Sequence, residues 1–275
     1  MDWSLVLASQ SIETVIEHQP EAGWALVVAA ADHERALDAI RRFRIENLRW
    51  PWRRPVIRSG LVFDWAGTGW VLLTLAFYWR SSHAPMLRDR GMMDGAKVAA
   101  GESWRLLTAC FLHADLPHLA TNAGIGLILL GLAMGRFGTG VGLFAALVAG
   151  VCGNVAAWIV NGGDHHSLGA SGVVMGALGL LAAPSVEFLR RSPHALRHAV
   201  CGIAGGVMLF VLMGLNPGTD VTAHLGGFVT GAALGGALAW VPRLPQRGWL
   251  NLLAAIIFAS LVIGAWWRAL SPMLK

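Results

Sequence analysis

Of the 275 residues, 55% are hydrophobic and 13% charged, with a formal charge of +5. This balance excludes a soluble enzyme built on one large core and places the chain in the membrane class. The basic residues gather beside apolar segments, which reads as membrane topology and not as a nucleic-acid footprint.

The first residues, from Met1 to Leu7, carry no basic stretch ahead of a long apolar run, so insertion is expected to rest on internal spans and not on a signal peptide. Residues 1–59 read as a small cytoplasmic region. Within it a short helix is expected at 11–18, a strand at 24–30, and a helix over 32–44 capped by Asp32. Ala36, Leu37, Ile40 and Phe43 would share one face of that helix, opposite Glu34, Asp38 and Arg41. So short a segment cannot hold a large core and is expected to lean on the membrane or on the rest of the chain. Arg41, Arg42, Arg44, Arg49, Arg53, Arg54 and Arg58 then form a basic run just before the first apolar span, which puts this end in the cytoplasm.

With about 20 residues needed to cross the hydrocarbon, about seven spans follow, near 60–79, 116–134, 141–160, 171–189, 199–215, 221–241 and 250–267. The expected fold is an all-α polytopic membrane bundle, with a six-span core over 60–241 and a cytoplasmic loop, extra helix and short outer tail over 242–275. Arg136, Arg190, Arg243 and Arg247 fall on the cytoplasmic side of this arrangement. The connection over 80–105 and the loops holding His165, His166 and Asn216 fall on the outer side. Tryptophans such as Trp79, Trp240, Trp249, Trp266 and Trp267 cluster near span ends, as an interfacial belt requires. Cys110, Cys152 and Cys201 have no metal-ligand spacing and read as buried free thiols.

Ser171 begins the fourth span and His224 lies one turn into the sixth, both entering from the outer face. Gly172, Gly176 and Gly179 in one span, and Gly227, Gly231 and Gly235 in the other, form small-residue ridges. Should the ridges face each other, serine and histidine meet just under the membrane surface. A serine hydroxyl needs a base to take its proton, and neutral histidine suits that task near neutral pH. Acyl transfer also needs donors for a developing oxyanion, such as backbone N–H groups, asparagine or histidine. His118 and Asn122, four apart, project from one face of the second span at similar depth. Polar groups in lipid are costly unless they pair or act, so His113, His118, Asn122, Ser171 and His224 together argue for a hydrated site.

Each residue also has a plainer reading. The glycine-flanked serine could serve packing alone, His113 could be an interfacial or structural hydrogen-bonder, and His118 with Asn122 an interhelical clamp. His224 could be a packing histidine, and Asp220 reads as an N-cap before it reads as a third triad member. His165 and His166 read as solvated loop residues, and a zinc site built from His113, His118, His165 and His166 lacks any metal-binding motif to support it.

These motifs in this order resemble the rhomboid family of intramembrane serine proteases. Trp104-Arg105 is similar to the family's Trp-Arg pair, and His118 with Asn122 to its His-xxx-Asn motif. Gly169-Ala170-Ser171-Gly172 is similar to the nucleophile motif, and Ala223-His224-Leu225-Gly226-Gly227 followed by Gly231 to the base motif. The resemblance covers about residues 104–239. It implies Ser171 as nucleophile, His224 as base without a required acid, and His118 and Asn122 in the oxyanion hole. It implies a structural role for Trp104-Arg105 in the first outer loop, and substrates that are membrane proteins cut in a transmembrane segment with small residues at the cut. No cofactor, metal or nucleic acid is called for; the lipid bilayer is the setting, with the bacterial plasma membrane expected. Two positions depart from the family pattern: Met175 stands where an aromatic often packs on the histidine, and Met134 where an acidic residue is frequent. A non-proteolytic protein that retains client helices on the same fold is the alternative, followed by a transporter using His118 and His224 as proton sites.

Overall fold

The computed structural model describes residues 2–19, 23–47, 62–189, 219–241 and 243–271. The chain divides into two compact units, Met1–Gly60 and Leu61–Lys275. The span expected at 199–215 and the basic residues from Arg49 to Arg58 lie outside the described residues.

In the first unit, α1 (Asp2–Ser9) is followed by β1 (Thr14–Gln19), β2 (Gly23–Val28) and α2 (His33–Glu46). The helix expected at 11–18 is a strand instead, paired antiparallel with β2 from Thr14 opposite Val28 to Gln19 opposite Gly23. Ser11, at φ 56°, breaks the chain away from α1, and the β-branched run Thr14, Val15 and Ile16 suits a pleated surface better than a helix. Leu7, Ile12 and Ala36 form the small core with Leu26, Val28 and Ile40 packed on it. Leu37, expected on the buried face of α2, is 51% exposed. Asp32 precedes α2 as expected, but its carboxylate engages Arg35 and makes no side-chain cap.

The second unit carries α3 (Gly67–His83), α4 (Pro85–Gly91), β3 (Met93–Asp94), α5 (Gly95–Ala99) and α6 (Arg105–Thr108). It continues through α7 (Leu116–Phe137), α8 (Thr139–Asn161), β4 (His166–Ser167), α9 (Ser171–Leu189), α10 (Val221–Ala239) and α11 (Gly248–Leu270). Among the described residues, four helices are long and apolar enough to cross a membrane: Leu116–Phe137, Thr139–Asp164, Val221–Ala239 and Gly248–Leu270. The unit is a helical membrane bundle, with an apolar stretch at Ser171–Ala182 adding to the set. The first expected span starts later than 60, because Asp64 makes a turn in which its carboxylate accepts from the Ala66 amide at 2.9 Å. The Asp64 amide in turn donates to the Gly131 carbonyl of α7 at 2.9 Å.

Glycine decides which helices touch. A Cβ on Gly227 would lie 2.5 Å from the Gly172 carbonyl oxygen, one on Gly231 2.1 Å from that of Gly176, and one on Gly235 2.4 Å from that of Leu180. The ridges of α9 and α10 therefore do face each other, backbone on backbone. Gly153 and Gly150 bring α8 equally close to both, against Ala223 and Val173. The tryptophan belt holds in part: Trp79, Trp240, Trp249 and Trp267 are exposed, whereas Trp266 is buried and stacks on Phe77 at 5.0 Å.

Candidate active site

The connection between α3 and α7 builds the platform for the site. Arg105 is buried at its centre, where Nε donates to Glu102 Oε2 at 2.6 Å. Its guanidinium also donates to the Asp89 and Met92 carbonyls, each at 2.8 Å. A buried guanidinium is tolerable only when its donors are paired, so these bonds lock the loop around it. Thr108 Oγ1 adds a bond to the Gly91 carbonyl at 2.7 Å. Cys110 is a buried free thiol as expected, pushed up to about 12 by burial, with the Asn154 amide opposing that shift; Cys152 is only half-buried.

The loop before α9 is stitched to this platform. β3 pairs antiparallel with β4, the Gly95 amide donates to the His165 carbonyl at 2.9 Å, and the Gly169 amide donates to the Ala109 carbonyl at 3.0 Å. From α8, Trp158 Nε1 donates to the Gly95 carbonyl at 3.1 Å and Asn154 Nδ2 to the Leu106 carbonyl at 2.8 Å.

Ser171 opens α9. The Ala170 carbonyl accepts from the Val173 and Val174 amides at 2.9 and 3.0 Å. The Ser171 N–H is then among the donors that a helix start leaves without an intrahelical partner. Gly169 has φ +149°, and a Cβ there would lie 2.9 Å from the His118 ring and 3.6 Å from Ser171 Oγ. Only glycine lets the loop, the serine and that ring converge. His118 stands in the first turn of α7, where the Asp115 carboxylate accepts from its amide at 2.8 Å. Asn122, one turn on, is buried, and its Nδ2 has no hydrogen-bond partner among the described residues.

His224 is 2% exposed on α10. Asp220 caps that helix as expected: Oδ1 accepts from the Ala223 amide at 2.9 Å, and its carbonyl accepts from the His224 amide at 3.0 Å. A cavity of about 1040 Å³ is lined by Ser171, His224, His118, Asn122 and Met175 together. Met175, one turn after Ser171 on the same helix, is itself buried.

Two histidines differ from expectation. His113 is no interfacial hydrogen-bonder: it is buried, both ring nitrogens lack a partner among the described residues, and its ring meets that of His118 edge-on at 5.2 Å. His165 is not a solvated loop residue either, since its side chain is 12% exposed and Nε2 lies 2.8 Å from Asp220 Oδ2. His166 does remain exposed, with Nδ1 3.0 Å from the Asp164 carbonyl oxygen. Sequence reasoning passed over Asn154, which also lines the cavity, although a polar side chain in mid-span is itself a signal.

A family model described as the Rhomboid domain matches residues 100–241. This chain belongs to the rhomboid family. It is 31% identical over 196 residues to "Rhomboid protease GluP" of Bacillus subtilis, covering 67% of this chain and 35% of that protein. Similarity to "RHOMBOID-like protein 4" of Arabidopsis thaliana is 34% over 169 residues, covering 60% of this chain and 41% of the relative. To "Rhomboid protease AarA" of Providencia stuartii it is 28% over 231 residues, covering 70% and 78%. The chain thus spans well under two thirds of the first two relatives. A rhomboid with four helices long and apolar enough to cross a membrane among its described residues is an integral membrane protein. The matched region contains the platform arginine, the glycine-packed helices and the cavity-lining residues from His118 to His224.

Proposed function

We propose that this rhomboid is an intramembrane serine endopeptidase that cuts transmembrane segments of other membrane proteins. The observation that carries the reading is the amide of Asn122, buried without a hydrogen-bond partner among the described residues on a cavity it shares with Ser171 and His224. A buried unpaired donor costs about 1–3 kcal/mol, and an oxyanion that forms only during reaction explains why it is kept. His224 takes the Ser171 proton as Oγ attacks the carbonyl carbon. The negative charge that develops on the carbonyl oxygen is met by Asn122 Nδ2, His118 and the Ser171 N–H. Collapse breaks the C–N bond, His224 returns the proton to the leaving amine, and water hydrolyses the acyl-enzyme by the same route in reverse. No cofactor enters this scheme.

The cleft sits near the outer face in this reading. His118 lies at one end of α7 and Arg136 at the other, so the positive-inside rule directs the His118 end away from the cytoplasm. The bacterial plasma membrane is the proposed location, with residues 1–59 cytoplasmic, 60–241 the protease core and 242–275 an added span. A helix hides its peptide bonds, so substrates should carry helix-weakening residues near the cut.

Purified protein in lipid vesicles, given a reporter transmembrane substrate, tests this directly. Native protein should cleave it and react with a fluorophosphonate, and Ser171→Ala and His224→Ala should each abolish cleavage while remaining folded. If the native protein does neither, the client-retaining reading replaces this one.

A further inference from the structure

His165 is held from two sides at once. Its carbonyl accepts from Gly95 of the platform at 2.9 Å, and its side-chain Nε2 lies 2.8 Å from Asp220 Oδ2 at the start of the His224 helix. Both side-chain atoms are shielded from solvent, and neither has a hydrogen bond to another group among the described residues, so the close polar approach of each is to the other. The same carboxylate uses its other oxygen to cap α10 through Ala223. The contact therefore joins the loop that delivers Ser171 to the turn that delivers His224.

The join matters because of how α9 and α10 pack. Gly172 on Gly227 and Gly176 on Gly231 fix the sideways approach of the two helices, but these glycines carry no side chain that would key the register along the axis. Axial sliding would change the separation between the serine hydroxyl and the imidazole. The His165 contact sits at the cleft end of both helices, where it opposes that motion. We propose that His165 is a positioning residue which, through Asp220, sets the axial register of His224 against Ser171. This rests on the protease reading above.

The test uses the full chain in vesicles, with kcat and KM on the reporter substrate, the rate of Ser171 labelling by a fluorophosphonate, and the thermal midpoint. The variants are His165→Ala, His165→Gln, Asp220→Ser and the double variant His165→Ala with Asp220→Ser. Serine keeps the helix cap but is too short to reach His165, and glutamine keeps an N–H donor toward the carboxylate. Small misplacements of reacting groups are expensive, so His165→Ala and Asp220→Ser should each lower kcat about tenfold with KM within about twofold. Labelling should slow by the same factor, the double variant should be no worse than either single one, and His165→Gln should recover kcat to within about threefold. Losses that multiply in the double variant, a loss in KM alone, or native kcat in His165→Ala would overturn the proposal. Should His165→Ala fail to fold, the Asp220→Ser and His165→Gln pair decides by the same criteria. A native protein that neither cleaves nor labels defeats the protease reading, and this one with it; an active native protein with additive variants defeats only this one.

Discussion

His113 shows what burial does to a single titratable group. Desolvation, aided by the neighbouring His118 ring and opposed by Asp115, holds its imidazole down at about 4, against 6.5 for an unperturbed histidine. Between those values the unfolded chain binds a proton that the folded chain refuses. Stability from this site is therefore complete above about pH 6.5 and is lost progressively as pH falls toward 4. The protein should be less stable at pH 5 than at pH 7.5 by on the order of 1–2 kcal/mol from this group. His113→Phe keeps a neutral ring in the same space and should flatten the dependence, as read from thermal midpoints at the two pH values. Ser171, His224, His118 and Asn122 were legible in the sequence because each is a polar residue that lipid makes costly, at a spacing that shares one depth. The burial of His113 against His118 and the approach of His165 to Asp220 were not legible, since loop residues have no periodicity to say what they face.

Helix pairing rests on a few glycines. At Gly231 an added Cβ would come within 2.1 Å of the Gly176 carbonyl oxygen, which is backbone and cannot rotate away. Gly231→Leu should push α10 off α9, cost about 3 kcal/mol or more, and remove cleavage and fluorophosphonate labelling together. Gly264, in α11, has nothing within 4 Å of its added Cβ. Gly264→Ala should leave labelling unchanged and move stability by no more than about 1 kcal/mol. The ridges themselves were visible as glycines three or four apart, because helical geometry converts that spacing into one face. In the short N-terminal unit the helix expected at 11–18 gives way to the strand Thr14–Gln19, where pairing with Gly23–Val28 overrides any helical preference.

Across the whole second unit, the last helix is part of the bundle and not an appendage. Asn251 Oδ1 accepts from the Val141 amide at the start of α8 at 3.2 Å, while its Nδ2 donates to the Leu244 carbonyl at 3.2 Å. A Cβ on Gly140 would strike the Asn251 carbonyl oxygen at 1.9 Å, and Trp266 stacks on Phe77 against the loop that Arg105 organises. Asn251→Ala should destabilise the protein by about 1–2 kcal/mol, seen as a lower thermal midpoint in detergent, with kcat on the reporter substrate little changed. The sequence by itself determined that this is a membrane helical bundle of the rhomboid type. Hydropathy, arginine placement and motif order are local properties of the chain that need no partner to be read. Only the tertiary structure decided which glycine ridge meets which, that the Asn122 amide is unpaired among the described residues, and that His165 reaches Asp220. Those depend on groups far apart in the chain becoming neighbours, and on which of their polar atoms the packing buries.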